Sequence, residues 1–136
     1  MAKKYFTVES AEKQILNIEG FLVRLQSLQK AIAAISSVRI NIEEFGFDEV
    51  RETGTKLQKE YHKLNYEFYK ELGNLESIGC ILKDLELGLV DFYCKFEGRD
   101  IFLCWKLGEK RIEAWHEADS GFAGRKPIVN INQYQQ

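Results

Sequence analysis

The spacing of the apolar residues changes near Gly79, and with it the kind of structure that the chain can form. Before this point apolar side chains recur in steps of three and four, which places them along one side of an α-helix. After it, short apolar runs alternate with turn residues, the pattern of successive β-hairpins. The sequence therefore predicts an α+β fold, in which a long, coiled-coil-like antiparallel helical hairpin packs at one end on a small antiparallel β-meander.

The first apolar stripe predicts a helix from Thr7 to about Ser37, with the Thr7 hydroxyl as its N-terminal cap. A second stripe predicts a helix capped by Asp48, for which Gly73 and Gly79 are stop signals. The residues of the two stripes are Ile15, Ile18, Leu22, Leu25, Leu28, Ile32 and Ile35, and then Val50, Leu57, Tyr61, Leu64, Phe68, Leu72 and Leu75.

Residues Val38–Gly46 lie between the stripes, where they either extend one of the helices or form the bend. The pattern divides the chain into a helical hairpin at 1–78 and a small sheet with a motif-rich tail at 79–136. At 136 residues the chain can bury a core without disulfides or metals, so we expect the two parts to form one structural domain.

The length of the helices predicts self-association. Thirty helical residues run about 45 Å, whereas a compact chain of this size is about 37 Å across. The second helix also carries a row of His62, Tyr66 and Tyr69 beside its apolar stripe. A second copy would cover this projecting surface, and we therefore expect a homo-oligomer, most simply a dimer, through the hairpin.

Composition and charge exclude several partners. The net charge of −2 gives no basic surface for nucleic acid. No apolar run approaches the roughly 18–20 residues of a membrane span, and no leader pattern is present, so we expect no membrane and a cytoplasmic location. The three cysteines, Cys80, Cys94 and Cys104, lack the spacing of a disulfide framework or a structural zinc cluster. We interpret them as reduced thiols that pack as small apolar residues.

A provisional strand register follows from pairing Phe96 with Ile101 and Leu107 with Arg111. The predicted strands are Cys80–Lys83, Leu89–Phe96, Ile101–Leu107 and Arg111–Glu117. Because side chains alternate across a sheet, one face is apolar and should pack on the helices. It holds Val90, Phe92, Cys94, Leu103, Trp105, Leu107 and Trp115. The other face holds Leu89, Asp91, Tyr93, Phe102, Cys104, Lys106, Ile112, Ala114 and His116.

The second face carries the candidate site. In this register Asp91 lies opposite Lys106. The two residues either form a cross-strand ion pair, beside a histidine whose neighbours satisfy it, or belong to a functional site. An imidazole with carboxylates suits a divalent metal such as Zn²⁺ or Mn²⁺, and equally general acid/base chemistry. We predict His116, Glu117 and Asp91 as metal ligands, which Cys104 could join. The predicted ligand-binding walls are Asp84, Asp91, Glu109 and Arg125 on the polar side and Trp105 and Trp115 on the apolar side.

The stretch Gly121–Arg125 has two interpretations. Its two glycines permit positive φ values, so the backbone amides could form an anion-binding nest, to which Arg125 adds a bidentate donor. Alternatively, the stretch is a tight turn in which Phe122 plugs the core and Arg125 pairs with an acid.

Four stretches together resemble an uncharacterised prokaryotic family, domain of unknown function 2203. They are YFTVESAEKQI at Tyr5–Ile15, KDLELGLVDF at Lys83–Phe92, LCWKLGE at Leu103–Glu109 and WHEADSGFAGRKP at Trp115–Pro127. The resemblance implies a long helical N-terminal half and a motif-dense C-terminal half, and it implies no activity.

Two classes of function remain, and whether the protein is an enzyme stays open. The first is a cytoplasmic, oligomeric protein that binds a small ligand or a divalent metal at its C-terminal acidic and histidine site. The alternative is a non-enzymatic interaction or scaffold protein that uses the helical hairpin.

Overall fold

The computed structural model describes residues 3–42 and 47–129. Its two long helices and antiparallel sheet confirm the predicted α+β fold. The helices are α1 (Val8–Glu12), α2 (Ile15–Ile42) and α3 (Phe47–Ser77). The strands are β1 (Ile81–Asp84), β2 (Leu89–Phe96), β3 (Arg99–Lys106), β4 (Ala114–Glu117) and β5 (Lys126–Pro127), with a 3₁₀ turn at Phe122–Gly124.

The chain forms two compact units. The helical unit is Val23–Gly73, which holds most of α2 and α3. The sheet unit is Met1–Leu22 together with Asn74–Gln136, which holds α1, the remaining turns of the long helices and the sheet. No helix within the described ranges is both long and apolar enough to cross a lipid bilayer.

In the helical unit α2 and α3 pack together as the predicted hairpin. Leu25 is fully buried, and the other described stripe residues of the unit are half-buried. Arg24 and Glu71 link the helices through an ion pair of 2.7 Å, and Glu71 is only 4% exposed. The row beside the stripe is exposed, as the spacing predicted, and consists of His62, Tyr66 and Tyr69.

The start of the first helix is partly as predicted. The Thr7 hydroxyl accepts a hydrogen bond from the amide of Ser10, which confirms the N-terminal cap. The helix is not continuous, however, because it breaks after Glu12. At the break the amide of Gln14 bonds to the carbonyl of Ala11, three residues back, and this contact is tighter than an α-helical one.

The second helix differs from its predicted limits. It begins at Phe47, so Asp48 lies inside its first turn instead of capping it. It continues through Gly73 to Ser77 and is followed by Gly79, which has a φ of 104°. Residues 38–42 of the predicted connection belong to α2, and residues 43–46 lie outside the described ranges.

The predicted pairing of Phe96 with Ile101 is wrong by two residues. Phe96 pairs with Arg99 across a two-residue turn, Glu97 and Gly98. Both turn residues have positive φ, 52° and 78°, as this kind of tight hairpin requires. The prediction assigned two strand residues to the turn.

A shift of two residues in the register of β2 and β3 leaves every side chain of these strands on its predicted face, because side chains alternate with a period of two. β3 pairs with β4 in the predicted register, with Phe102 opposite His116, but β4 begins at Ala114 and the predicted pair of Leu107 and Arg111 lies outside both strands. The strands follow the order β1-β2-β3-β4-β5. β5, which is not among the four predicted strands, pairs with β4 at the edge of the sheet.

Both faces of the central strands β2 and β3 are buried. Phe92, Leu103 and Trp105 on the apolar face are 0% exposed. On the opposite face Asp91 and Cys104 are each 2% exposed. A charged or polar group in such a place is costly unless it has partners.

Candidate metal centre

Three buried polar side chains meet on this second face of the sheet. Asp91 in β2 pairs directly with Cys104 in β3, and His116 in β4 lies beside them with an exposure of 3%. One ligand atom from each, a carboxylate oxygen, a thiol sulfur and an imidazole nitrogen, lies within 4.8 Å of the other two. We call Asp91, Cys104 and His116 the polar cluster.

Hydrogen bonds fix the ring of His116. Its Nδ1 lies 2.8 Å from the backbone carbonyl of Glu117, and its Nε2 lies 3.0 Å from Oδ2 of Asp91. A carbonyl oxygen only accepts hydrogen bonds, so Nδ1 carries a hydrogen and donates it. Nε2 faces the Asp91 carboxylate. At 3.0 Å, Nε2 and Oδ2 share one proton in a hydrogen bond.

Burial changes the proton affinity of the cluster. It raises the pKa of the Asp91 carboxyl above the ordinary value, although the charge of His116 and its hydrogen bond act in the opposite direction. Burial also raises the pKa of the Cys104 thiol to about 11, and the nearby Asp91 charge adds to this effect. At neutral pH the cysteine is consequently a thiol and not a thiolate.

A cavity of about 120 Å³ adjoins the cluster. Its walls are Lys83, Leu89, Asp91, Cys104, His116, Ser120, Gly121 and Phe122. All three cluster residues thus line one space, which has room for several water molecules or a small ligand.

The segment after β4 forms the outer wall of this cavity, and we call Ser120–Arg125 the covering segment. The Phe122 ring lies near two cations, 5.7 Å from Lys106 Nζ and 4.9 Å from the Arg125 guanidinium. Gly124 permits the tight path of the segment, because a Cβ there would lie 2.6 Å from Ser120 Oγ.

Arg125 fastens the covering segment to the sheet. It donates to the backbone carbonyl of Cys104 at 3.1 Å and to Oε1 of Glu109 at 2.6 Å. Glu109 in turn accepts from the amide of Lys106 at 2.7 Å. Arg125 and Glu109, both predicted as ligand-binding residues, hold the covering segment against β3.

The other predicted site residues lie away from the cluster. Glu117 follows His116 in a strand and therefore faces the other side, where Arg99 lies 2.6 Å from its carboxylate. Asp84 accepts from the amide of Leu87 in the turn between β1 and β2. Trp105 and Trp115 are buried on the apolar face. The cavity takes its apolar wall from Leu89 and Phe122 instead.

The covering segment is a tight turn and not an anion nest. Neither Gly121 nor Gly124 has positive φ, and the amides of Gly124 and Arg125 bond to carbonyls within the segment. The pairing of Arg125 with Glu109 matches the second of the two predicted interpretations. Phe122 does not plug the core, however, because it is 42% exposed.

These features define a class, a small α+β protein whose antiparallel sheet carries a buried cluster of aspartate, cysteine and histidine beside a cavity. The family described as "Uncharacterized conserved protein (DUF2203)" matches residues 4–128, and the chain belongs to it. The matched range includes the whole cluster and the covering segment. No curated protein and no solved structure matches the chain.

Proposed function

We propose that the protein binds a divalent transition metal, preferably Zn²⁺, through a carboxylate oxygen of Asp91, Sγ of Cys104 and Nε2 of His116. The observation that carries this proposal is the convergence of three buried ligand atoms within 4.8 Å beside a cavity. The sequence predicted two of these three residues as ligands and named the third as one that could join them.

The donor atoms favour zinc over the other predicted metal. Thiolate, imidazole and carboxylate are all ligands of Zn²⁺, whereas Mn²⁺ and Mg²⁺ prefer sites of oxygen atoms. Two ligand atoms on a tetrahedral zinc lie about 3.3 Å apart. The 3.0 Å between His116 Nε2 and Asp91 Oδ2 is close to this value, so these two ligands need little movement, and the three ligand atoms lie within 4.8 Å of one another, so Cys104 would move closer on metal binding.

The orientation of His116 also supports metal binding. A histidine that binds a metal through one ring nitrogen usually donates its other N–H to a carbonyl or carboxylate. His116 has this arrangement, with Nδ1 donating to the carbonyl of Glu117. The metal would replace the proton between Nε2 and Asp91.

Three protein ligands leave one position of a tetrahedral zinc open. Structural zinc sites usually have four protein ligands, whereas sites that hold a water molecule or a substrate have three. The cavity lies beside the cluster, which supports a centre that binds a small molecule at this position.

A thiol nucleophile is the main alternative chemistry, and the geometry supports it less well. Such a thiol needs a base within hydrogen-bond reach. Both ring nitrogens of His116 are engaged elsewhere, by Glu117 and Asp91. The Asp91 carboxylate bonds to the Cys104 side chain, but it raises the pKa of the thiol instead of lowering it. In addition, the pKa of Cys104 is raised to about 11.

Calorimetric titration of metal-free protein with Zn²⁺ tests the proposal. We expect one equivalent to bind, and Cys104→Ala to weaken binding by at least the 10–100-fold that loss of an outer partner of a metal site costs. Cys94→Ala is the matched control, because Cys94 is an equally buried thiol on the opposite face of the same hairpin. Equal Zn²⁺ affinity of the two variants would disprove the site.

A second candidate function is supported by the exposed face of α3. Tyr66 and Tyr69 expose 71% and 66% of their surfaces, which is unusual for neighbouring aromatic side chains. We propose that a second copy of the chain covers them in a homodimer. Light scattering should then give twice the chain mass of 15.8 kDa. Tyr66→Glu should halve that mass, and a monomeric parent protein would refute the dimer.

We also propose a cytoplasmic location. The three cysteines of the chain are free, and all are buried. Free thiols are typical of reducing compartments, where disulfides are rare. Fractionation of cells that carry the tagged protein would test this, and recovery from a secreted fraction would contradict it.

A further inference from the structure

We propose that the cavity holds a small monoanionic carboxylate at the open position of the metal, with the ammonium group of Lys83 as its charge partner. This inference rests on the proposed metal centre and names the class of ligand that the centre takes.

The charges of the site favour an anion. A divalent metal with the Asp91 carboxylate, the Cys104 thiolate and a neutral His116 has no net charge. Arg125 is already neutralised by Glu109, at 2.6 Å. With the metal bound, the ammonium group of Lys83 therefore gives the cavity a net charge of +1. A single negative charge on the ligand would balance it.

Lys83 is free to take this role. It lines the cavity, and its charge favours the ionised form of Asp91, so it lies within electrostatic reach of the cluster. Its Nζ lies 5.2 Å from the centre of the Phe102 ring. Within residues 3–42 and 47–129 it forms no ion pair with a carboxylate.

The volume and walls of the cavity favour a small anion. A cavity of about 150 Å³ in another protein takes up benzene, which has six heavy atoms. The cavity of about 120 Å³ therefore accepts roughly five. Its walls include Leu89 and Phe122, which are apolar, and Ser120, which offers a hydroxyl. A carboxylate with a short apolar end, such as acetate, fits both the volume and this mixture.

Cobalt-loaded protein provides the test, because the visible spectrum of Co²⁺ changes when a ligand enters its coordination sphere. Acetate should shift the spectrum with a measurable dissociation constant. Acetamide has the same shape without the charge, and sulfate has two charges, so both should bind more weakly. An exposed charge pair contributes modestly, and we therefore expect Lys83→Met to weaken acetate binding about fivefold while the protein still binds one equivalent of Co²⁺.

Lys110→Met is the matched control, because Lys110 is exposed in the bend after β3 and does not line the cavity. Lys110→Met should leave the dissociation constants of acetate and of Co²⁺ unchanged. Normal Co²⁺ binding with no acetate response, or with equal acetate affinity in Lys83→Met and the parent, overturns the carboxylate site and leaves the metal centre intact. Failure of Co²⁺ and Zn²⁺ to bind overturns the metal centre and the carboxylate site with it.

Discussion

Two aspartates in the same β-hairpin have opposite environments. Asp100 in β3 lies 2.7 Å from Lys95 Nζ and 3.2 Å from Lys3 Nζ, and it accepts from the Tyr5 hydroxyl at 3.1 Å. These contacts, led by the one with Lys95, lower the pKa of Asp100 to about 2. Asp91 in β2 is buried, and burial raises its pKa.

The difference separates a carboxylate that cations already surround from one that has room for a further partner. Two lysines already satisfy Asp100, and their contacts join the N-terminal segment to the sheet. Asp91 has His116 at 3.0 Å, but no lysine or arginine forms an ion pair with it in the described part of the chain. A metal ion would supply the missing positive charge, and the cavity beside Asp91 gives that ion room.

Substitution of the two aspartates should affect stability very differently. In metal-free protein Asp91→Ala leaves the buried His116 without its partner, and we expect a loss of about 3 kcal/mol in the free energy of unfolding. Asp100→Ala removes a more exposed network, so its loss should be smaller. Urea unfolding measures both. Equal losses would show that the two carboxylates have the same structural role.

The pH dependence of Zn²⁺ binding should show the next largest effect. Because the pKa of Cys104 is raised to about 11, zinc must displace its proton at neutral pH. Acid therefore competes with the metal, and we expect affinity to fall at least about tenfold for each unit of pH between 8 and 6. Calorimetry at three pH values measures this slope.

Asp100→Asn is the control for this slope, because Asp100 lies outside the polar cluster and should leave the proton count unchanged. An affinity that does not vary with pH would mean that the Cys104 thiol is not a ligand.

The smallest effect should be on acid stability. Because the pKa of Asp100 is lowered to about 2, its stabilising contribution is complete above the ordinary value near 3.9 and is lost as pH falls through about 2. Asp100→Asn removes this contribution, so the variant should lose less stability than the parent between pH 4 and pH 2. Thermal unfolding across that range measures the difference.

In metal-free protein Asp91→Asn should change the pH dependence of stability in the opposite direction, and it should do so above the ordinary aspartate pKa near 3.9 instead of below it. A carboxyl with a raised pKa contributes stability that is present below the ordinary pKa and lost as pH rises through the folded value. Parallel pH curves for the Asp91→Asn and Asp100→Asn variants would contradict the contrast between the two residues.

Part of the site could be predicted from alternation alone. The spacing placed Asp91, Cys104 and His116 on one face, and the structure brings these three together. The same rule argues against Glu117 as a ligand, because consecutive strand residues point to opposite faces. It argues equally against Trp105, which follows Cys104 and lies on the apolar face.

Contacts that depend on turn type and on tertiary packing could not be predicted. Glu97–Gly98 is a weaker signal for a two-residue hairpin turn than Asn-Gly or Asp-Gly, so the register of β2 and β3 stayed uncertain by two residues. For this reason the sequence paired Asp91 with Lys106 instead of Cys104. No local pattern showed that the covering segment would fold over the cluster.

The two-residue turn at Glu97–Gly98 also limits which insertions and deletions the chain can accept. One extra residue that shifted the pairing by one would place Asp91 and Cys104 on opposite faces of the sheet. A shift by two would keep both side chains on the same face but would move Asp91 opposite a different neighbour. The length of this turn, six residues along the chain from both Asp91 and Cys104, is therefore as important to the polar cluster as these two residues themselves. Substitutions that keep the length of the turn keep the two side chains on one face of the sheet.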